Sequence, residues 1–212
     1  MTLIAFAASA ARGLRRAALA GLLLAAPAAA APPPDPLMEP GPLADIVEGS
    51  PTAPIAIIEY GSVTCSHCAA FHRDVWPALK ARYVDTGKVR FILREFPLDP
   101  RSVVGFMLAR CIGPGKRDGM IDLLLDQQNS WAFVDKPAEP LLALVKQKGM
   151  SQIDFETCLH NQSLFDAVIK SHDLAAARLG IDSTPTFFVN GLKLTGEAPI
   201  GEFDRLLAPM LP

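Results

Sequence analysis

The sequence predicts an α/β fold in which the strands are interrupted by a block of helices, and three observations carry that expectation. Ile55-Ala56-Ile57-Ile58-Glu59-Tyr60 is apolar and largely β-branched, as a central strand covered on both faces requires. From about Pro100 to Asp173 the apolar spacing is helical throughout. Thr184 to Leu194 then holds Asn190-Gly191 between two β-prone runs, the pattern of a two-residue hairpin with a primed turn.

Taken in order, the chain begins with residues 1–31, read as a signal peptide. They contain no acid, place Arg12, Arg15 and Arg16 ahead of an apolar stretch from Ala17 to Ala31, and end in small residues that offer A-x-A cleavage sites. The stretch is mostly alanine and shorter than the roughly 20 strongly apolar residues of a spanning helix. Export with cleavage is therefore expected over an uncleaved anchor. Residues 32–50 read as a Pro-rich linker, with Leu43 to Val47 as a short edge strand or turn. After the strand at 55–60 and a loop, a helix is predicted to run to about Asp85, with Phe71, Val75, Ala78 and Leu79 on one face. Pro77 cannot donate to the Arg73 carbonyl, so a kink is expected there. Val89 to Phe96 is the second strand.

In the helical block, Val103, Val104, Met107, Leu108 and Cys111 share one face. Three more helices follow around Met120–Gln127, Leu141–Lys148 and Ile153–His160, separated by glycines and prolines. Asp173 to Leu179 reads as a further helix ended by Gly180, and Ile200 to Leu207 as the last one. Trp76 and Trp131 read as packing residues, and His72, His160 and His172 as helix-surface residues.

Charge and cysteine content bound the function. Of 20 basic and 22 acidic side chains, three arginines lie in the first 31 residues; 17 and 22 remain without them, a net charge near −5. No basic stripe with interleaved aromatics is present, which argues against nucleic acid as a partner. An exported protein keeps disulfides, so its four cysteines can form two bridges. Cys111 and Cys158, 47 residues apart, are expected to form a structural bridge; two buried free thiols are the alternative. A loop of that length gives about 4 kcal/mol in the chain-entropy picture.

Cys65-Ser66-His67-Cys68 carries the chemistry. Two thiols one helical turn apart close a small disulfide with little rearrangement. The first of them, at a helix N-terminus, gains from unpaired N–H groups and the macrodipole, which favour the thiolate. The thiolate attacks disulfides or binds metals. His67 adds a donor and, when protonated, a positive charge, or else merely fills the turn.

The element order is strand, helix, strand, helical insertion, helix, hairpin, helix. With Glu59 six residues before Cys65, the Cys65–Cys68 motif, the phrase Ser183-Thr184-Pro185-Thr186-Phe187 and the Asn190-Gly191 hairpin, the chain resembles the DsbA-like thiol:disulfide oxidoreductases, which have a thioredoxin fold with a helical insertion. The resemblance implies a thioredoxin-like domain from 51–99 and 174–212 and an inserted helical subdomain over 100–173. It implies that Cys65 is the exposed nucleophile and Cys68 the more buried partner. Thr184-Pro185 would be a cis peptide beside the two sulfurs, offering a backbone edge to an extended substrate, with Thr184, Pro185 and Ser66 lining that contact; a trans proline opening a strand is the plainer alternative. Glu59 would lie beneath the motif and exchange a proton as Cys68 changes state, unless it is a strand-end acid that reaches water. A carboxyl buried there without a partner favours its protonated form. Family members commonly carry Pro at the position of Ser66.

The resemblance further implies an exported, periplasmic oxidase that passes the Cys65–Cys68 disulfide to folding client proteins with free thiols. A membrane thiol oxidase would reoxidise it, and no cofactor would be needed. Two rivals share these residues. A reductase or isomerase would use the same thiols at a more reducing poise. A metal-binding module would use Cys65, Cys68 and His72, one ligand short of a closed structural zinc site.

Overall fold

The computed structural model describes residues 37–113 and 115–211. The signal-peptide reading at 1–31 and the first residues of the Pro-rich stretch lie outside the described residues. Five strands form one mixed sheet in the order β1-β3-β2-β4-β5. They are β1 (Val47–Glu48), β2 (Ile55–Gly61), β3 (Val89–Glu95), β4 (Thr186–Val189) and β5 (Leu192–Thr195). β2 and β3 run parallel and the other neighbours antiparallel. Helices are α1 (Ser66–Asp74), α2 (Trp76–Leu79), α3 (Pro100–Cys111), α4 (Arg117–Asp126), α5 (Gln128–Trp131), α6 (Ala138–Gln147), α7 (Gln152–Leu159), α8 (Gln162–Leu179) and α9 (Ile200–Leu207). This is the predicted α/β fold with a helical insertion between β3 and β4.

Every residue of β2 is buried, which is why its sequence shows no polar alternation. The strand's period of two still divides the core. Ile55 and Ile57 join Phe91, Leu93, Phe187 and Val189 under α1 and α9, while Ile58, Tyr60, Ile92 and Phe188 pack on the opposite face with Ala175 of α8. Glu59 has the parity of Ile57 and therefore projects toward α1. Phe71 of α1 anchors the helix on this face, with ring centroids 4.7 Å from Phe187, 5.7 Å from Phe203 and 6.4 Å from Phe91.

The hairpin between β4 and β5 turns at Asn190 (φ 44°) and Gly191 (φ 89°), both positive as the primed turn requires. Asn190 Oδ1 also accepts the Ala56 N–H at 2.7 Å, tying the hairpin to β2.

Three sequence expectations need correction. The helix beyond the motif is not one kinked rod to Asp85. It breaks at Val75, restarts as α2 with Pro77 in its first turn, and ends in a wide turn over Lys80–Val84. The missing N–H of Pro77 explains the break. The expected division near Asp173 falls inside α8, a continuous 18-residue helix. No Gly or Pro interrupts Gln162–Leu179, and the helix stops where Gly180 takes the left-handed conformation (φ 57°). The described part of the Pro-rich stretch is not a free linker: it holds the short edge strand expected near Leu43–Val47, which appears as β1, and is fixed to the fold. Leu37 is buried, β1 pairs with β3, and Asp45 makes a two-pronged ion pair with the buried Arg94 at 2.7 and 2.8 Å.

A disulfide joins Cys111 at the end of α3 to Cys158 in α7. Trp76 and Trp131 are both buried in the core.

Candidate active site

Backbone and side-chain bonds in the loop 62–64 set the position of Cys65. Ser62 bonds Ser102 at 2.7 Å, and Thr64 donates to Asp99, which also caps α3 by accepting the Ser102 N–H at 2.9 Å. Gln128, buried in α5, donates to the carbonyls of Val63 and Cys65 at 2.8 and 2.9 Å. The inserted helices thereby brace the loop that presents the motif. Neither α5 nor the role of Gln128 is legible in sequence, where the polar run Asp126-Gln127-Gln128-Asn129 looks like surface.

Cys65 is the N-cap of α1, and its Sγ accepts the Cys68 N–H at 3.3 Å. The peptide between Thr184 and Pro185 is cis, and the Cys65 thiol donates to the Thr184 carbonyl at 3.3 Å. Pro185 is buried and Ser66 exposed beside them. Cys65, expected to be exposed, is 8 % exposed; Cys68 is 1 % exposed.

The two thiols have opposite electrostatics. Cys65 is lowered from 9.0 to about 6. The hydrogen bond from the Cys68 thiol is the leading cause, partly opposed by burial and supported by Thr184 and the N–H groups of Cys68 and His67. A carbonyl is an acceptor and favours the protonated thiol; the Thr184 hydroxyl, buried and without a hydrogen-bond partner, is the group of that residue able to donate to the anion. Cys68 is raised well above its ordinary value, first by burial, then by its bond to Cys65 and the charge of Glu59.

His67 contributes through its backbone. Its imidazole is 70 % exposed and lies 3.2 Å from Glu197 Oε2. A groove of about 590 Å³ runs beside it, lined by His67, Val75, Glu197, Pro199 and Ile200.

Glu59 is fully buried, and the unpaired acid considered from sequence does not occur. His72, one turn after Cys68, places Nε2 3.1 Å from Glu59 Oε2 and Nδ1 3.4 Å from Asp122 Oδ1 of α4. This overturns the surface reading of His72, whose side chain is 6 % exposed. Its helical spacing from Phe71 and Val75 put it at the edge of the core face, and only the fold brings the carboxylates to it. Burial opposes the imidazolium, yet the Glu59 charge and the bonds to Asp122 and Glu59 outweigh it and raise His72 from 6.5 to about 9. The metal-ligand set of Cys65, Cys68 and His72 is not assembled, because both ring nitrogens of His72 face carboxylates. Among the described residues, no group of three or more His, Cys, Asp or Glu is arranged to hold a metal ion.

Comparison with known proteins agrees with this geometry. The sequence model of a family described as thioredoxin matches residues 43–208. A provisionally named protein-disulfide oxidoreductase of Rickettsia typhi is 34 % identical over 152 residues, covering 70 % of this chain and 56 % of the relative. The chain thus spans about half the length of the curated relatives it matches. The crystal structure of Wolbachia pipientis α-DsbA1 is 31 % identical with a TM-score of 0.75, covering 82 % of this chain and 93 % of that one. Oxidised BdbD of Bacillus subtilis, at 23 % identity and a TM-score of 0.62, covers 77 % and 90 % and shares the fold. The chain belongs to the DsbA-like thiol:disulfide oxidoreductases of the thioredoxin family.

Proposed function

We propose that the protein donates the Cys65–Cys68 disulfide to client proteins after export. One observation carries the reading: of two neighbouring thiols, Cys65 is held toward its anion and Cys68 away from it. A client thiolate attacks Cys65 Sγ, a mixed disulfide forms, and Cys68 leaves. A second client thiol then displaces Cys65, which departs as a stabilised thiolate. Stabilising that anion favours the reduced protein, so handing over the disulfide runs downhill.

The extended client chain lies along the Thr184–Pro185 segment, with the groove beside His67 taking flanking side chains. Cys65, Cys68 and Glu59 act in the exchange; His67, Ser66, Thr184 and Pro185 shape its surroundings. The acid-free, Arg-then-Ala N-terminus supports an exported, periplasmic location. No helix among the described residues is long and apolar enough to cross a membrane. A membrane thiol oxidase would restore the disulfide.

The test combines equilibration with glutathione and turnover on a reduced two-cysteine peptide. A donor is largely reduced in mildly reducing buffer and oxidises the peptide, and Cys65→Ser abolishes this while the circular dichroism stays native. A pair that remains oxidised in that buffer identifies a reductase, and full activity in Cys65→Ser refutes the assignment.

A further inference from the structure

The exchange proposed above leaves one proton without a path. When a thiolate attacks Cys65 Sγ, a new S–S bond forms to it, the Cys65–Cys68 bond breaks, and its electron pair stays on Cys68 Sγ. That thiolate is disfavoured by burial and by the Glu59 charge, so it must take up a proton. Water in front of it is displaced by the client.

A second opening lies behind. His72 follows Cys68 at i+4, on the same side of α1. It bridges the fully buried Glu59 and Asp122, whose side chain is 55 % exposed. A cavity of about 200 Å³ lies beside this bridge, lined by Ala69, His72, Arg73, Trp76, Asp122 and Asp126. It shares no lining residue with the groove beside His67. Glu59 Oε1, buried, has no hydrogen-bond partner. The charged groups facing His72 are Glu59 from β2, Asp122 and Asp126 from α4, Arg73 on α1, and Glu48 of β1, which feels its charge.

We propose that His72 is a positioning residue for the Cys68 proton, passing it through Glu59 between the buried thiol and water in the cleft between α1 and α4. This rests on the Cys65–Cys68 exchange reading. The Glu59–His72 pair holds one proton between carboxylate and imidazole. Giving it to the Cys68 thiolate leaves a carboxylate and a neutral imidazole, which regains a proton from cleft water beside Asp122. Reoxidation runs the same path backward. The client dithiol is what becomes oxidised, so no further redox partner enters. The advantage is geometric: the rear cleft stays wet while a client covers the front.

The test is single-turnover reduction of the Cys65–Cys68 disulfide in the full chain by excess of a reduced two-cysteine peptide long enough to cover the Thr184–Pro185 edge, at pH 7. His72→Gln keeps a donor to Glu59 but no transferable proton. It should slow reduction roughly 100-fold, the low end for a positioned proton-transfer group, with the Cys65 ionisation midpoint unmoved. In His72→Ala, free imidazole should enter the enlarged cleft and restore part of the rate. A wild-type rate in His72→Gln overturns the proposal, as does a slow His72→Ala that ignores imidazole. Recovery by His72→Arg, which supplies only a fixed charge, overturns it too. If His72→Ala fails to fold, His72→Gln decides. Excess peptide drives the reduction whatever the potential of the pair, so a failure of the donor reading in the glutathione equilibrium would leave this result standing.

Discussion

Titrating the reduced protein between pH 4 and 10 tests the electrostatics on which the chemistry depends. Cys65 is lowered from 9.0 to about 6. At pH 7 about 90 % of it is then thiolate, against about 1 % for an unperturbed thiol. The sign follows from linkage. A depressed ionisation stabilises the reduced state fully above pH 9, and the benefit disappears as pH falls through 6. The whole shift corresponds to about 4 kcal/mol, but at pH 7 only about 1.4 kcal/mol is realised, a tenfold change in the exchange constant or about 30 mV. The slope of the reduction potential adds a second signature. Reduction takes up two protons below pH 6 and one between 6 and 9, so the potential should fall by about 59 mV per pH unit and then by about 30 mV. Thiolate absorbance at 240 nm reports the midpoint, and equilibrium with dithiothreitol reports the slope. Cys68→Ala removes the leading hydrogen bond and should move the midpoint up without reaching 9, because the N–H groups at the helix start remain. A wild-type midpoint near 9, or a slope without a break near pH 6, would refute the reasoning.

Two further outcomes follow from the scaffold. Gln128→Ala leaves the buried Val63 carbonyl without its donor and the Cys65 carbonyl with only the Ala69 N–H and should cost about 1–3 kcal/mol, measured by urea unfolding, with faster amide exchange at residues 63–68. Asp45→Ala strands the buried Arg94 guanidinium and should cost about 3 kcal/mol; an unchanged midpoint would show that the Pro-rich stretch does not contribute to stability.

The sequence by itself determined the sheet's central strand, the hairpin, the final helix and the motif, because each is a local property. β-branched runs, an Asn-Gly pair and a 3.6-residue period act over a few residues. It also placed Cys65 at a helix start, where the polarity of the peptide units decides which thiol ionises. Only the tertiary structure decided what surrounds those thiols. The Glu59–His72–Asp122 bridge joins a strand and two helices, Gln128 reaches the loop from 63 residues away, and Asp45 meets Arg94 across the sheet's edge. Periodicity ranks a residue as inside or outside. It does not state which charged partner arrives from a distant element, and burial of a charged imidazolium is tolerated only when one does.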